Sequence, residues 1–212
     1  MKKKIYFTIV CISIVCIAQA QVKKGDVLLG GGLNVSSYNN NQSGTSTSSF
    51  GIYPSIGVAI RDNLVVGANL QYQHYKYDYS QTKSDTYGLT AFVRKYKALG
   101  SGFALFAEGD LGFSYRRQTS NQNSPYPNAE VKDRMYGIMA GFTPGVAYAV
   151  SKRVQLEMSF QNMAYASYTH EKASSEDPGT GQSSSATSNG FTLSTNLSQV
   201  LNNFLFGVRF II

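Results

Sequence analysis

The sequence predicts an all-β chain: an eight-stranded antiparallel up-and-down β-barrel that crosses a membrane. Three observations predict it. Apolar residues recur with a period of two, while a helical period is hard to find. Short turns alternate with longer polar segments between the candidate strands. The two faces defined by the alternation also differ. One carries the large apolar residues and almost no charge; the other carries Gly, Ser, Asn, Gln and the scattered charges.

The first element is not part of the barrel. Lys2, Lys3 and Lys4 precede an apolar run over residues 5–17, followed by Ala18-Gln19-Ala20. This is the basic, apolar and small-residue order of a cleaved secretory signal peptide. The run is shorter than the ~20 residues a spanning helix needs. A lipidated Cys16 is the rival reading, but Val15 stands where a lipobox wants a small residue. The expected organisation is therefore residues 1–20 as signal and 21–212 as barrel.

Removing the signal takes both cysteines, Cys11 and Cys16. No disulfide, thiol nucleophile or cysteine metal site is then expected. Three of the 19 basic residues leave and none of the 12 acidic ones, so the net charge falls from +7 to +4. An exported chain with that modest excess is not expected to bind nucleic acid. No cofactor is expected.

The strands follow in order at roughly 25–37, 48–61, 64–78, 85–97, 103–117, 133–150, 153–170 and 190–212. In FGIYPSIGVAIR, Phe50, Ile52, Ile56, Val58 and Ile60 share a face. In LVVGANLQYQ, Leu64, Val66, Ala68, Leu70 and Tyr72 do the same. The last strand, FLFGVRFII, puts Phe204, Phe206, Val208, Phe210 and Ile212 on one side. Asp62-Asn63 and the joins near 99–102 and 151–153 read as tight turns. NNNQSGTSTS, SQTKS, RQTSNQNSPYPNAEVK and EKASSEDPGTGQSSSATSN read as polar loops. Each strand exceeds the ~9–11 residues of a tilted membrane strand.

A soluble barrel is the alternative, with an apolar inside and a polar outside. A core built on the charged, small-residue face of this chain would bury many charges. An apolar outside around a polar lumen needs no such sacrifice and fits the composition of the faces better. Tyrosines near strand ends, such as Tyr72, Tyr87, Tyr115, Tyr136 and Tyr168, read as interfacial girdles. Pro54 and Pro144 fall inside strands and predict local breaks or bulges there. Phe191, Leu193 and Leu197 are odd-numbered whereas the final apolar face is even, which predicts an irregular segment near 198–203.

The chemistry-bearing residues are few. LFAEGDLGFSY places Glu108 and Asp110 on the inward parity. Buried charges need partners, and the inward charges on other strands are Arg61, Arg94, Glu157 and Arg209. A luminal ion network of these six is expected in preference to a catalytic dyad. His74 and His170 fall near loop-side strand ends and are read as exposed or interfacial. EKASSEDPGTGQ lacks the oxygen spacing of a calcium loop, and Gly30, Gly31 and Gly32 lack the lysine and helix of a phosphate loop. Arg116-Arg117 falls at the predicted loop-side rim and reads as solvated or headgroup-facing charge.

GDVLLGGGLNV, YPSIGVAIRDNLVVGANLQY, LFAEGDLGFSY, TPGVAYAVSKRVQLEMSF and FLFGVRFII together resemble the small outer-membrane β-barrel domain of porin-family proteins. These are OmpA- and OmpX-type in size and common in Bacteroidetes-like bacteria. The resemblance implies the outer membrane as location, lipid and lipopolysaccharide as surroundings, and a monomer. It also implies that the final strand, with Phe204, Phe206, Val208, Phe210 and Ile212, signals to the barrel assembly machinery. Such strands usually end on an aromatic residue; here Phe210 stands two places before Ile212. An eight-stranded lumen is about filled by side chains, here Tyr53, Phe92, Phe106 and Tyr165, so no wide pore is expected. A structural or surface-interaction barrel without enzyme activity is the expected function; a narrow channel for small solutes is the alternative, and a rim enzyme acting on lipid or peptide the weaker one.

Overall fold

The computed structural model describes residues 22–40, 45–78, 81–120, 130–176, 181–195 and 204–212. The expected signal segment lies outside them. Ten strand segments follow in chain order: β1 (Val27–Asn40), β2 (Thr45–Arg61), β3 (Leu64–Tyr77), β4 (Thr82–Gly100), β5 (Phe103–Ser120), β6 (Val131–Ala149), β7 (Val154–Phe160), β8 (Ala164–Glu176), β9 (Ser183–Thr195) and β10 (Phe204–Ile211). β7 and β8 both pair with β6 and form the seventh barrel strand. β9 pairs with β8 and β10 with β7, forming the eighth. β10 then pairs with β1, so the chain is a closed eight-stranded antiparallel barrel. Every predicted strand is present.

The strands run further into the polar segments than the sequence suggests. β4 and β5 reach Thr82 and Ser120, and the following hairpin ladder starts at Ser120↔Val131. Thr favours strand, and Ser is accommodated where a neighbour supplies the ladder. Polar composition there marks strand that stands clear of lipid, not loop. The tight turns match expectation. Asn63 and Ser101 take positive φ, of 60° and 51°, in two of them.

Both prolines disturb the ladder. The β2–β3 rungs stop at Ile52↔Tyr72 and resume at Ser55↔Asn69 in unchanged register, so Pro54 makes a break without a bulge. Pro144 lies beside a true bulge. The register on β6 shifts between Phe142↔Ala164 and Gly145↔Ser159, and Asn162 has φ 48°. The segment expected to be irregular near 198–203 lies outside the described residues, but its effect on register is visible. Eight positions, 196–203, separate β9 from β10 in the chain, where only three, 161–163, separate β7 from β8. The surplus of five is odd, so side chains change face across it. That reconciles Phe191 and Leu193 with Phe206 and Val208, all exposed.

The faces sort as the alternation requires. Val58, Leu70, Leu89, Leu111, Ile138 and Leu156 point outward. Val65, Phe92, Ala104, Phe106 and Ala147 are buried inside. Tyr115 and Tyr136 meet at 5.1 Å and Tyr72 and Tyr87 at 5.3 Å toward the loop end, while Phe103 and Tyr148 meet at 4.6 Å toward the turn end. These are two aromatic belts flanking an apolar band. Tyr53 and Tyr165 are only half-buried, so Phe92 and Phe106 carry more of the lumen filling than they do.

The turn end is stoppered. Val22 is fully buried against the core that includes Leu28, Ala59, Val65, Tyr96 and Ala104. Asn63 N–H donates to Val22 O at 2.8 Å, Gly25 N–H to Ala59 O at 2.8 Å, and Lys24 N–H to Asp62 Oδ1 at 2.9 Å. The segment before β1 is thereby tied across the mouth. A test of the outer face follows from depth. Leu111→Arg, at mid-strand, is expected to destabilise the protein in lipid vesicles by ~2–4 kcal/mol, whereas Thr119→Arg near the loop end costs ~0–1 kcal/mol. Urea unfolding of both variants checks the difference.

Candidate functional site

A charge inside a filled eight-stranded barrel has little water to rely on. Arg94 on β4 and Glu108 on β5 are direct cross-strand partners in the ladder. Arg94 Nε donates to Glu108 Oε2 at 2.6 Å, and Arg94 Nη1 reaches Glu157 Oε1 on β7 at 2.7 Å. Arg209 Nε on β10 donates to the same Glu157 oxygen at 3.0 Å. Tyr96 Oη stands between them, 3.1 Å from Arg94 Nη1 and 3.2 Å from Glu157 Oε1. Arg94 is 4% exposed, and Glu108 and Arg209 each 8%. Two guanidinium groups and two carboxylates thus neutralise one another across the lumen, tying β4, β5, β7 and β10.

The network sits on aromatic rings. The Arg94 guanidinium lies 4.2 Å from the Phe106 ring centroid and 5.8 Å from those of Phe92 and Tyr96. Rings this size fit only because glycine lies beneath them. A Cβ at Gly67 would collide with Phe92, and one at Gly145 with Phe106. Burial of the cation against π faces stabilises it by about 2 kcal/mol or more when desolvated.

Of the six residues expected in the network, four are joined: Arg94, Glu108, Glu157 and Arg209. Arg61 is not. It is exposed at the end of β2, next to the Asp62-Asn63 turn, where the ladder shifts register between Ala59 and Arg61. That irregularity takes it out of the inward row. Asp110 does point inward but has no ion-pair partner among the described residues, and its Oδ1 is buried without a hydrogen bond. Tyr96 and Ser55, which Arg209 Nη1 approaches at 3.4 Å, were not singled out by sequence. Tyr96 shares the parity of Arg94 two positions earlier, and that signal could have found it.

The histidines lie elsewhere. His74 Nδ1 is 2.9 Å from Asp85 Oδ1, and Tyr72 Oη donates to that oxygen at 3.2 Å. His170 Nδ1 is 2.7 Å from Asn189 Oδ1. Both imidazoles share the outward parity, opposite Phe50 and Tyr136 respectively, at the upper aromatic belt. An oriented imidazole needs a nucleophile or substrate carbonyl beside it to act in hydrolysis, and these contacts supply neither. Among the described residues no group of three His, Cys, Asp or Glu is placed to hold a metal. Of the basic pair, Arg117 points outward while Arg116 faces in and meets Glu171 at 3.6 Å. Burial pushes the carboxyl of Asp133, in the strand extension, upward; Glu171 adds to this and Arg116 opposes it. The hydrogen bond from Lys76 holds the Asp78 carboxyl below its usual range.

The fold and lumen define a transmembrane barrel of the outer-membrane class. The chain belongs to the outer membrane protein beta-barrel domain family, whose model matches residues 7–197. It is a bacterial outer-membrane protein. No curated protein matches it. Among solved structures it is similar to the outer membrane protein OprG from Pseudomonas aeruginosa, at 14% identity, over 92% of this chain and 99% of that one, with a TM-score of 0.51. It is also similar to a major outer membrane protein from Thermus thermophilus, at 11% identity, over 89% and 98%, with a TM-score of 0.46.

Glu157 is the hinge of the network because two arginines share it. Glu157→Gln leaves positive charge uncompensated and is expected to destabilise the barrel by about 3–5 kcal/mol, while Arg61→Gln, outside the network, stays within about 0.5 kcal/mol. Urea titration of both refolded variants checks this.

Proposed function

We propose that this chain is a closed barrel with a structural or surface-interaction role, its lumen sealed to solute by side chains and the Arg94–Glu108–Glu157–Arg209 network. The observation that carries the reading is the stacking of two seals. The apolar stopper at Val22 lies toward the turn end, and the charge network lies above it. A solute moving through would have to separate paired, buried charges and then displace Val22. The network sits in the strand ladder, and the stopper segment is hydrogen-bonded to the tight Asp62-Asn63 turn through Val22 and to β2 through Gly25. The strands that extend past the upper aromatic belt carry Ser, Thr and Asn outward. They offer a polar hydrogen-bonding surface to partners outside the cell.

The proposal includes export by a cleaved signal over residues 1–20, assembly through the apolar row of β10, and no enzymatic activity. Lipid and lipopolysaccharide are its surroundings. One observation favours the narrow-channel reading instead: the lumen holds a cavity of 480 Å³ that reaches Arg94, Glu108, Glu157 and Arg209 from above. Planar-bilayer recording decides between them. Refolded wild-type protein is expected to give no reproducible conductance steps, and the Glu108→Ala, Glu157→Ala double variant to give small ones. Steady channels in the wild type would overturn the sealed lumen.

A further inference from the structure

The cavity above the network is not a simple well. Its lining includes polar luminal groups, Asn69, Gln71, Thr90 and Asp110, and also residues 31–34 of β1 and 205–208 of β10. The latter two stretches belong to the barrel wall at its closing seam. β1 follows β2 over its whole length, from Val27↔Val58 to Asn40↔Thr45. With β10 it makes three ladder rungs, Leu28↔Ile211, Leu29↔Phe210 and Gly30↔Arg209, next to the Val27–Ile212 pair, which exchanges both backbone hydrogen bonds at the turn end. Continuing that register would set Leu33 opposite Phe206, yet no rung is formed there among the described residues. The departure begins at Gly31, whose φ is 155°. A Cβ at Gly31 would lie 2.8 Å from the carbonyl oxygen of Tyr53, so only glycine lets β1 hug β2 and leave β10 at this point.

Two features make the parted seam more than a defect. Its lips are apolar: Leu33 is 79% and Phe206 76% exposed, among the highest values for large apolar residues in the barrel. Its inner end holds an acid, Asp110, whose Oδ1 has no hydrogen-bond partner among the described residues. The two arginines and two glutamates of the network balance, leaving Asp110 outside that balance, with no ion-pair partner among the described residues. An ionisable side chain at membrane depth is stable only with a partner, and a buried carboxylate favours a cationic donor. The backbone groups left open on β1 also need a polar neighbour, which the cavity can supply.

We propose that this cavity binds a single-chain amphiphile with a primary ammonium head. The ammonium sits against Asp110, and the alkyl chain leaves through the parted seam, between Leu33 and Phe206, into the bilayer. The ammonium donates to the Asp110 carboxylate, which lines the cavity, and restores charge balance above the network. The chain covers the apolar lips. The site needs the open seam and the unpaired acid, not a sealed floor, so its failure and that of the sealed-lumen reading are separate results.

The test uses full-length mature protein refolded in a nonionic detergent and titrated with decylamine, decanol and butylamine, with binding read by native mass spectrometry. Saturable binding of one decylamine per barrel is expected, about tenfold or more tighter than decanol or butylamine, as a buried charge-assisted contact implies. Asp110→Asn, shown folded by its heat-modifiable gel shift, should bring decylamine down to the decanol level. Phe206→Gln, on the wall, should weaken decylamine without touching butylamine. A parallel titration with lysophosphatidylethanolamine and lysophosphatidylglycerol locates the source. Preference for the ammonium lipid identifies a membrane lipid as ligand, and binding of decylamine alone identifies a diffusible amine; either supports the site. Decanol binding as tightly as decylamine, butylamine binding as tightly as decylamine, or undiminished decylamine binding by Asp110→Asn would overturn it.

Discussion

In hydrocarbon an N–H or C=O group has no water to turn to, and each one left unpaired costs several kcal/mol. That constraint shapes this chain more than any side-chain contact does. A sheet that satisfies it must close, and here the closure runs from the unbroken β5–β6 ladder round to the short seam between β1 and β10, three rungs and the Val27–Ile212 pair beside them. Once the sheet is closed, every strand has one face toward lipid and one toward a confined interior. The period of two then becomes a sorting rule. Leu111 faces out and Asp110 faces in because they are neighbours, and no other reason is needed.

The interior inherits the second constraint. Eight strands leave a lumen about as wide as the side chains that fill it. Large rings such as Phe92 and Phe106 fit only over Gly67 and Gly145. Charges fit only in pairs. The network meets this by sharing: Glu157 accepts from both Arg94 and Arg209, and Tyr96 adds a hydroxyl to the same carboxylate oxygen. Such a cluster adds less net stability than its short distances suggest, because desolvation offsets most of the attraction. Its effect is specificity. Arg94 and Glu108 are cross-strand partners, so a slip of β4 against β5 by one residue would turn one of them to lipid.

Parity made most of this legible in the sequence. It gave the eight strands, the lipid face, the inward position of Glu108 and Asp110, and the need for a phase change before the last strand. Four of six expected network members follow from it. What parity cannot give is azimuth and register. Arg61 has the inward sign but sits beyond a ladder shift at a turn, where the rule lapses. Asp110 is inward and only two residues from Glu108, but two rungs higher no arginine stands across from it; its partners in the ladder are Phe92 and Gly141. Composition misled at the loop ends. Ser/Thr/Asn runs read as loops because polarity signals water, and in a barrel strand that rises beyond the membrane water is compatible with a full ladder.

The irregularities are not spread evenly. Pro54, the Gly31 bend and the surplus residues before β10 all fall on the strands at or beside the closing seam, and the bulge at Asn162 lies one strand away. The opposite wall, β3 to β6, runs in register almost from end to end. A barrel selected only for closure would gain by regularity everywhere, since each missing rung removes two backbone partners in a solvent that replaces neither. Concentrating the departures on one side keeps the far wall as a rigid frame. The same side carries the parted strands and looks onto the unpaired carboxylate of Asp110. Gly30, Gly31 and Gly32, which as sequence signal no phosphate loop, have a mechanical meaning in that setting: they are where the wall stops being a sheet and becomes an edge.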